Sequence, residues 1–498
     1  MTRLTFYGGA RELGGTQILL EDRTTRLFLD FGLNFDRFGR YFPFPHFPKK
    51  FNALDVLIRL GIYPELEGIY RQDYLRHTGR SPENKSIDGV VVSHAHLDHA
   101  AGVHFLRPDI DVWMDKHTKK ILYALQKLSG GSFNEFVEFT YAYERVLKPK
   151  EQGHKILRGK EASFPRSIKL FQPTESFKIG DIEIQPFYID HSMPGSCAFI
   201  IHTSIGPIVY TGDLRLRGRR KKDTEDFIKA AKDSKPKYLL CEGSLIHKRH
   251  VGSEDDVVTE TVKFISRYNG LVITSYPPRD LDRLTSMYRA AQKTGRLLVI
   301  DTRQAFLLDM FNGEFNYPKP THKHIRIFLP KKGAGFLDSS QEFAERDYFL
   351  WERKYLKHKN RVMLEEIKAN PCQFMIYSNF SSVDDLVELE PPKNSVYFRS
   401  HPEPYTEQME LDEKILINWL KRFNLYHEGE QVELFEEERF NIPQAHVTGH
   451  MSMEETGRVI REIDPGVLIP IHTLFPERFR EIYGGKMKIV EIGDALQL

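Results

Sequence analysis

The chain has 498 residues, 40% hydrophobic and 28% charged, enough for two or three domains with their own cores and too apolar for a disordered polymer. Formal net charge is +2, from 71 basic and 69 acidic side chains, which alone argues neither for nor against a nucleic-acid partner; any basic surface must be local. Three widely spaced cysteines (Cys197, Cys241, Cys372) form neither a disulfide framework nor a thiolate pair, which favours a reducing cytoplasm, and no apolar run is long enough for a membrane span.

Short strand patterns fill the first half, over 4–7, 16–20, 26–29, 90–92, 182–188, 197–203 and 207–211, with helical patterns over 118–128 and 223–232. The N-terminus enters the first strand directly, without the basic-then-apolar layout of a signal peptide. Between Phe35 and Ser86 lies a segment rich in aromatics and prolines, including Phe42-Pro43-Phe44-Pro45 and Phe47-Pro48-Lys49-Lys50-Phe51. Its prolines forbid a central strand and its spacing is not helical, so it reads as an extended loop. Two roles stand open for it: a packed cover over a core, and a surface on which bases stack with Lys49 and Lys50 near phosphates.

From about Glu254 the texture changes. Helix 255–268, strand 270–275, helix 280–293 and strand 296–301 read as a β-α-β unit of a parallel sheet. A charged helical region (339–370), strands 372–377 and 395–398 and helix 410–423 follow. Metal-ligand residue types return from about Asn441. The expected division is therefore one domain over 1–245 and 441–498, with a second α/β domain (246–440) inserted in it.

The densest chemistry lies in Ser93-His94-Ala95-His96-Leu97-Asp98-His99, directly after the apolar run Gly89-Val90-Val91-Val92. Imidazole and carboxylate suit divalent zinc or manganese, and a strand feeding His-x-His-x-Asp-His into a loop can serve two ions. The alternating histidines would take one ion and the Asp98-His99 pair the other. Later strands end in the same way: His191 after Phe187-Tyr188-Ile189-Asp190, Asp213 after Val209-Tyr210-Thr211-Gly212, His472 after Val467-Leu468-Ile469-Pro470-Ile471, and Asp30 after Leu27-Phe28-Leu29. One arrangement recurs, an apolar strand delivering a ligand at its carboxyl end.

In this order the motifs resemble the metallo-β-lactamase fold, and most of the stretch between Asp213 and His472 resembles the β-CASP insertion of nucleic-acid-processing hydrolases. Cys241-Glu242-Gly243-Ser244 is similar to the acidic motif A of that group. Ala445-His446-Val447-Thr448-Gly449-His450-Met451-Ser452 is similar to motif B, and Leu468-Ile469-Pro470-Ile471-His472-Thr473 to motif C. Gly8-Gly9-Ala10-Arg11-Glu12-Leu13-Gly14-Gly15 fits the first strand-turn of the family, and ribonuclease J is the nearest type. The resemblance implies an αββα sandwich with an inserted α/β β-CASP domain containing a mostly parallel sheet. It implies that His94, His96 and His191 hold one Zn2+, that Asp98, His99 and His472 hold another, and that Asp213 bridges them, with Mn2+ as a substitute. His450 would donate the proton to the leaving oxygen, oriented by Glu242, and Asp30 would orient ligands from outside. His446, Thr448 and Ser244 would face a terminal phosphate; Thr448 stands where the family usually has Ser.

The run Arg215-Leu216-Arg217-Gly218-Arg219-Arg220-Lys221-Lys222, with Lys248, Arg249 and His250 beyond it, is expected to steer a polyanion, Arg219 and Arg220 above all. The implied partner is RNA, single-stranded at the site, with no membrane and a homodimer left open. Departures from the family pattern are Thr473-Leu474 in place of Gly-Glu after the motif-C histidine and an enlarged 35–86 segment. The family also usually continues in a further C-terminal domain, whereas this sequence closes soon after His472. The favoured reading is a zinc-dependent ribonuclease acting as a 5′-to-3′ exonuclease, an endonuclease or both. A DNA-directed β-CASP nuclease and a catalytically silent RNA-binding scaffold are the alternatives.

Overall fold

The computed structural model describes residues 1–43, 46–81, 83–128, 133–140, 144–147, 154–157, 163–249, 252–333, 345–402, 404, 407–425 and 445–498. Phe44, Pro45, His250 and the 440/441 boundary lie outside them. Two compact units emerge, one of 1–216, 220–250 and 449–498, the other of 217–219 and 251–448.

The first unit is built on two sheets. One has seven strands in the order Ile168–Leu170, Asp111–Met114, Gly89–Val91, Thr25–Leu29, Gln17–Asp22, Thr2–Gly8, Ala495–Gln497. The other has six, in the order Phe177–Ile179, Ile182–Tyr188, Cys197–Thr203, Gly206–Tyr210, Tyr238–Glu242, Val467–Ile471. Side chains alternate across each strand, so every second residue points between the sheets. Leu4, Phe6, Ile18, Leu20, Leu27 and Leu29 from one sheet meet Ile184, Phe199, Ile201, Ile208, Leu240 and Ile469 from the other in one buried cluster. Each such side chain contributes roughly 1.5–3 kcal/mol of burial free energy.

The intervening residues face outward. On the second sheet Ala198, Ile200, Val209 and Leu239 pack with Phe227, Ile228 and Ala231 of helix Lys221–Asp233 and with Val459, Ile460 and Ile463 of helix Met453–Ile463. On the first, Phe28 meets Phe31 edge-on at 5.0 Å, Phe31 stacks on Tyr63 at 5.6 Å, and Tyr63 meets Phe105. These layers place helices outside a pair of sheets, as the sequence led us to expect.

The second unit carries a six-stranded sheet in the order Arg361–Val362, Ile325–Phe328, Leu297–Ile300, Phe374–Tyr377, Val272–Ser275, Val396–Arg399, every pairing parallel. Helices Glu254–Ile265, Leu281–Lys293 and Thr302–Phe311 begin at Ser253, Asp280 and Asp301, whose side chains accept N–H groups of the first turn.

Two expectations are corrected. The 35–86 segment is not one extended loop: it holds helices Phe35–Gly39, Ala53–Arg59 and Gln72–His77. Its prolines fall at 43–48, Pro64 and Pro82, leaving a stretch where Leu54, Leu57 and Ile58 bury one helical face. The charged 339–370 region is not a long helix either. From residue 345 onward it shows two single 3-10 turns and the short helix Leu364–Ala369, with Pro371 just beyond. Charge alone supplies no apolar stripe to hold a helix against the sheet.

Candidate metal centre

Strand ends from both sheets of the first unit converge on one point. Gly89–Val91 leads into His94 and His96, and His96 caps the single-turn helix Leu97–Ala100 that carries Asp98 and His99. His191 follows Ile182–Tyr188, Asp213 follows Gly206–Tyr210, and His472 follows Val467–Ile471.

Nε2 of His94 lies 2.9 Å from Nδ1 of His96, which lies 3.1 Å from Nε2 of His191. Across the centre Asp98 Oδ2 stands 3.6 Å from His99 Nε2 and 3.2 Å from His472 Nε2. Oδ2 of Asp213 lies between the two groups, 3.7 Å from His94, 4.0 Å from His191, 3.2 Å from His99 and 3.9 Å from His472. Ligand atoms of His94, His96, His191 and Asp213 all lie within 4.8 Å of one another, as do those of Asp98, His99, Asp213 and His472.

Outer partners fix which ring nitrogen faces inward. His191 Nδ1 donates to the carbonyl of Gly449 at 2.7 Å, leaving Nε2 as a lone pair. His99 Nδ1 donates to Asp30 Oδ2 at 2.7 Å. The Ser93 hydroxyl donates to Asp30 Oδ2 at 2.7 Å and so accepts from His94 Nδ1 at 3.0 Å. Asp30 also accepts the Ser93 N–H and the Tyr210 hydroxyl. One buried carboxylate thus orients two of the rings. Ser244 Oγ lies 2.8 Å from Nδ1 of His472.

Two glycines make room for the rings. A Cβ on Gly449 would stand 2.7 Å from the His191 ring, and one on Gly14, whose φ is +71°, would stand 2.7 Å from Asp98 Cβ.

This donor set fits a pair of divalent cations. Nε2 of His99 and Oδ1 of Asp213 are buried and make no hydrogen bond. A cation bound between them would satisfy both atoms. All seven side chains offer nitrogen or oxygen, which suits zinc or manganese. Burial, with the charges of neighbouring histidines, pushes His94 and His191 well below the usual imidazole range, the neutral form a metal requires. His99 is pushed the other way: burial opposes its charge, but Asp213, Asp98 and Asp30 together outweigh that.

Beside the cluster, Glu242 Oε1 stands 3.3 Å from His450 Nδ1, while Glu242 Oε2 accepts the Ser244 N–H at 2.9 Å. Burial disfavours the imidazolium of His450, but Glu242, then Asp213 and Asp98, raise it to about 9. Its Nδ1 also lies 4.0 Å from Asp213 Oδ2.

Several expected substrate contacts are engaged elsewhere. The Ser244 hydroxyl meets Nδ1 of His472, and the turn after Glu242 is held by the Glu242 carboxylate. Arg215 is buried against Asp190 at 2.9 Å. Arg220 bonds Asp190 Oδ2 through its N–H and the His191 carbonyl through its guanidinium. Arg219 donates to the Asp282 carbonyl and to Ser286 Oγ. These three arginines brace the protein itself, and the exposed cations of the run include Lys221 and Lys222.

In the second unit His446 Nδ1 accepts from Arg283 at 2.8 Å, and Arg283 also bonds the carbonyls of Val447 and Ser400 and the Glu254 carboxylate at 3.0 Å. Thr448 is two residues along this tethered stretch, half-buried. Sequence reading missed Arg283 and Glu254. Neither stands in a motif, and an Arg inside a helix reads as solvent-facing until its burial is seen.

The metallo-β-lactamase superfamily model matches residues 76–260. Ribonuclease J of Mycolicibacterium smegmatis is 26% identical over 304 residues, 59% of this chain and 43% of that protein. Ribonuclease J of Thermus thermophilus is 24% identical over 325 residues, 63% of this chain and 47% of that one. Ribonuclease J of Pyrococcus abyssi is 20% identical over 495 residues, 95% of this chain and 90% of that one. The chain thus spans less than half of the two bacterial relatives and most of the archaeal one. A crystal structure of a protein of unknown function from Enterococcus faecalis is similar over the whole of both chains, with a TM-score of 0.70 at 22% identity.

Proposed function

Because this chain carries the metallo-β-lactamase fold and resembles the β-CASP nucleases of the ribonuclease J type, we propose that it is a metal-dependent ribonuclease. On this reading residues 1–245 and 441–498 are the lactamase domain and 246–440 the inserted β-CASP domain. The observation that carries it is His450, set 3.3 Å from Glu242, beside seven converging His and Asp side chains in two groups that share Asp213.

His94, His96 and His191 would hold one Zn2+, Asp98, His99 and His472 another, and Asp213 both, with Mn2+ able to replace them. Bound divalent cations acidify water and neutralise charge on a phosphodiester undergoing in-line displacement. The remaining work belongs to the chain. As the P–O3′ bond breaks, the leaving 3′-oxygen takes a proton, and His450 is the group charged to give it. Glu242 holds that imidazole in place and cationic. Asp30 keeps His99 and, through Ser93, His94 turned to the centre. His446 and Thr448 are the candidates for reading a terminal phosphate, and Lys221 and Lys222 for drawing in the polyanion. Single-stranded RNA in a reducing compartment is the expected setting, since the three cysteines are unpaired thiols. No helix among the described residues is long and apolar enough to cross a membrane.

The test is turnover of labelled RNAs bearing 5′-monophosphate, 5′-triphosphate or 5′-hydroxyl ends, beside matched DNA, with zinc or manganese added. Mononucleotides released from the monophosphorylated RNA alone indicate 5′-to-3′ exonuclease action; internal fragments from all three indicate an endonuclease. Hydrolysis of DNA alone, or of nothing, refutes the ribonuclease reading.

A further inference from the structure

Just past His472 the chain exposes Leu474 and Phe475, with relative exposures of 52% and 42%. Exposing a phenylalanine so near a polar centre needs a reason, because burial would be worth about 1.5–3 kcal/mol. The ring is not loose. The Phe475 N–H donates to Thr473 Oγ1 at 3.1 Å, and Thr473 is itself fully buried. Pro476 opens the 3-10 helix Pro476–Glu481, whose Phe479 is buried against Gly243.

A second segment meets the first. His247, three residues after Ser244, places its ring 5.3 Å from that of Phe475 at 56°. The Arg478 guanidinium stands 6.0 Å from the Phe475 ring and donates to the His247 carbonyl at 3.4 Å. Lys248 and Arg249 continue the exposed edge, and the Lys248 carbonyl accepts the Met453 N–H at 2.8 Å. Both segments thus spring from residues in mutual contact at the centre, Ser244 and His472. Glu477, the acid beside Phe475, is paired with Arg11.

We propose that Phe475, flanked by His247 and Arg478, is a stacking platform for one base of a single-stranded RNA at the metal centre, with Lys248 and Arg249 on the adjoining phosphates. This rests on the ribonuclease reading. An aromatic face accepts any base, and cations along its edge suit the backbone that carries it. An apolar protein partner would gain nothing from that positive rim.

The experiment compares KM and kcat of the wild type with Phe475→Leu and Phe475→Trp, on single-stranded RNA and on a series with one abasic nucleotide at successive positions. Loss of stacking raises KM roughly ten-fold in Phe475→Leu, with kcat little changed, while Phe475→Trp keeps wild-type KM. One abasic position raises the wild-type KM by a similar factor and leaves Phe475→Leu unaffected. Lys248→Gln with Arg249→Gln flattens the slope of log affinity against log salt by about 0.7 for each phosphate that is no longer neutralised. A wild-type KM in Phe475→Leu, or equal sensitivity of both proteins to every abasic position, overturns the platform and leaves the ribonuclease reading standing. A wild type that hydrolyses no RNA sinks both.

Discussion

Oε1 of Glu242 and Nδ1 of His450 stand 3.3 Å apart although 208 positions separate them in the chain. Glu242 is almost wholly buried and is pinned by the Ser244 N–H, so the imidazole is set against a fixed anion rather than a mobile one. His450→Ala should therefore lower kcat by about 10²–10⁴ while elemental analysis finds the metal content of the wild type. Asp98→Ala should lose metal and activity together.

The same pair sets a pH limit. His450 must be protonated to donate, and its pKa is raised to about 9, so kcat/KM should hold through neutrality and fall above about pH 9. Glu242→Gln removes the largest raising influence, which moves the alkaline limb toward neutral pH. An unmoved limb in that variant would assign the proton to another group.

Asp30 touches no expected substrate or metal, yet four donors converge on it. Asp30→Asn should weaken metal affinity about 10–100-fold, measured by competition with a chelator, since the His99 and His94 rings lose their orienting acceptor. Tyr210→Phe removes one of the four donors and should have a smaller effect.

Acid should loosen the second unit. Burial, then Arg399 and Arg283, lowers His401 to about 3, and burial with Arg283 holds His446 well below 6.5. Between about pH 3 and 6.5 the unfolded chain binds protons that the folded one refuses, so stability is present above 6.5 and lost as pH falls through that window. Each such histidine contributes up to about 1.4 kcal/mol per pH unit. The difference in unfolding midpoint between wild type and His401→Asn, followed from pH 7.5 to 5, isolates this group, because every other titrating group is common to both proteins.

Arg283 is fully buried with Glu254 as its counter-ion. Glu254→Gln should cost about 3–5 kcal/mol in denaturant titration, as expected when one partner of a buried pair is removed. Exposed pairs such as Arg59 with Asp55 should cost about 0–1 kcal/mol when broken.

The centre could be read from sequence because its geometry is local to strand ends. Four of the seven converging side chains lie within six residues, and His191, Asp213 and His472 each close an apolar run. What escaped was whatever depends on where a side chain finds its partner. Arg215, Arg219 and Arg220 looked like free cations in a basic run, but Asp190, the Asp282 carbonyl with Ser286, and the His191 carbonyl accept from their guanidinium groups in turn. Ser244 looked like a phosphate contact and instead meets His472. The short helices between Phe35 and Ser86 were hidden by prolines that occupy only part of that segment.

The seven converging side chains come from both sheets of the first unit: His94, His96, Asp98 and His99 from one, His191, Asp213 and His472 from the other. An ion bound there would be a rivet through the sandwich, and Asp213, common to both groups of side chains, would join two such rivets. Occupancy and folding are then linked equilibria, so the supply of divalent cation would govern how much of this chain survives as well as how fast it works.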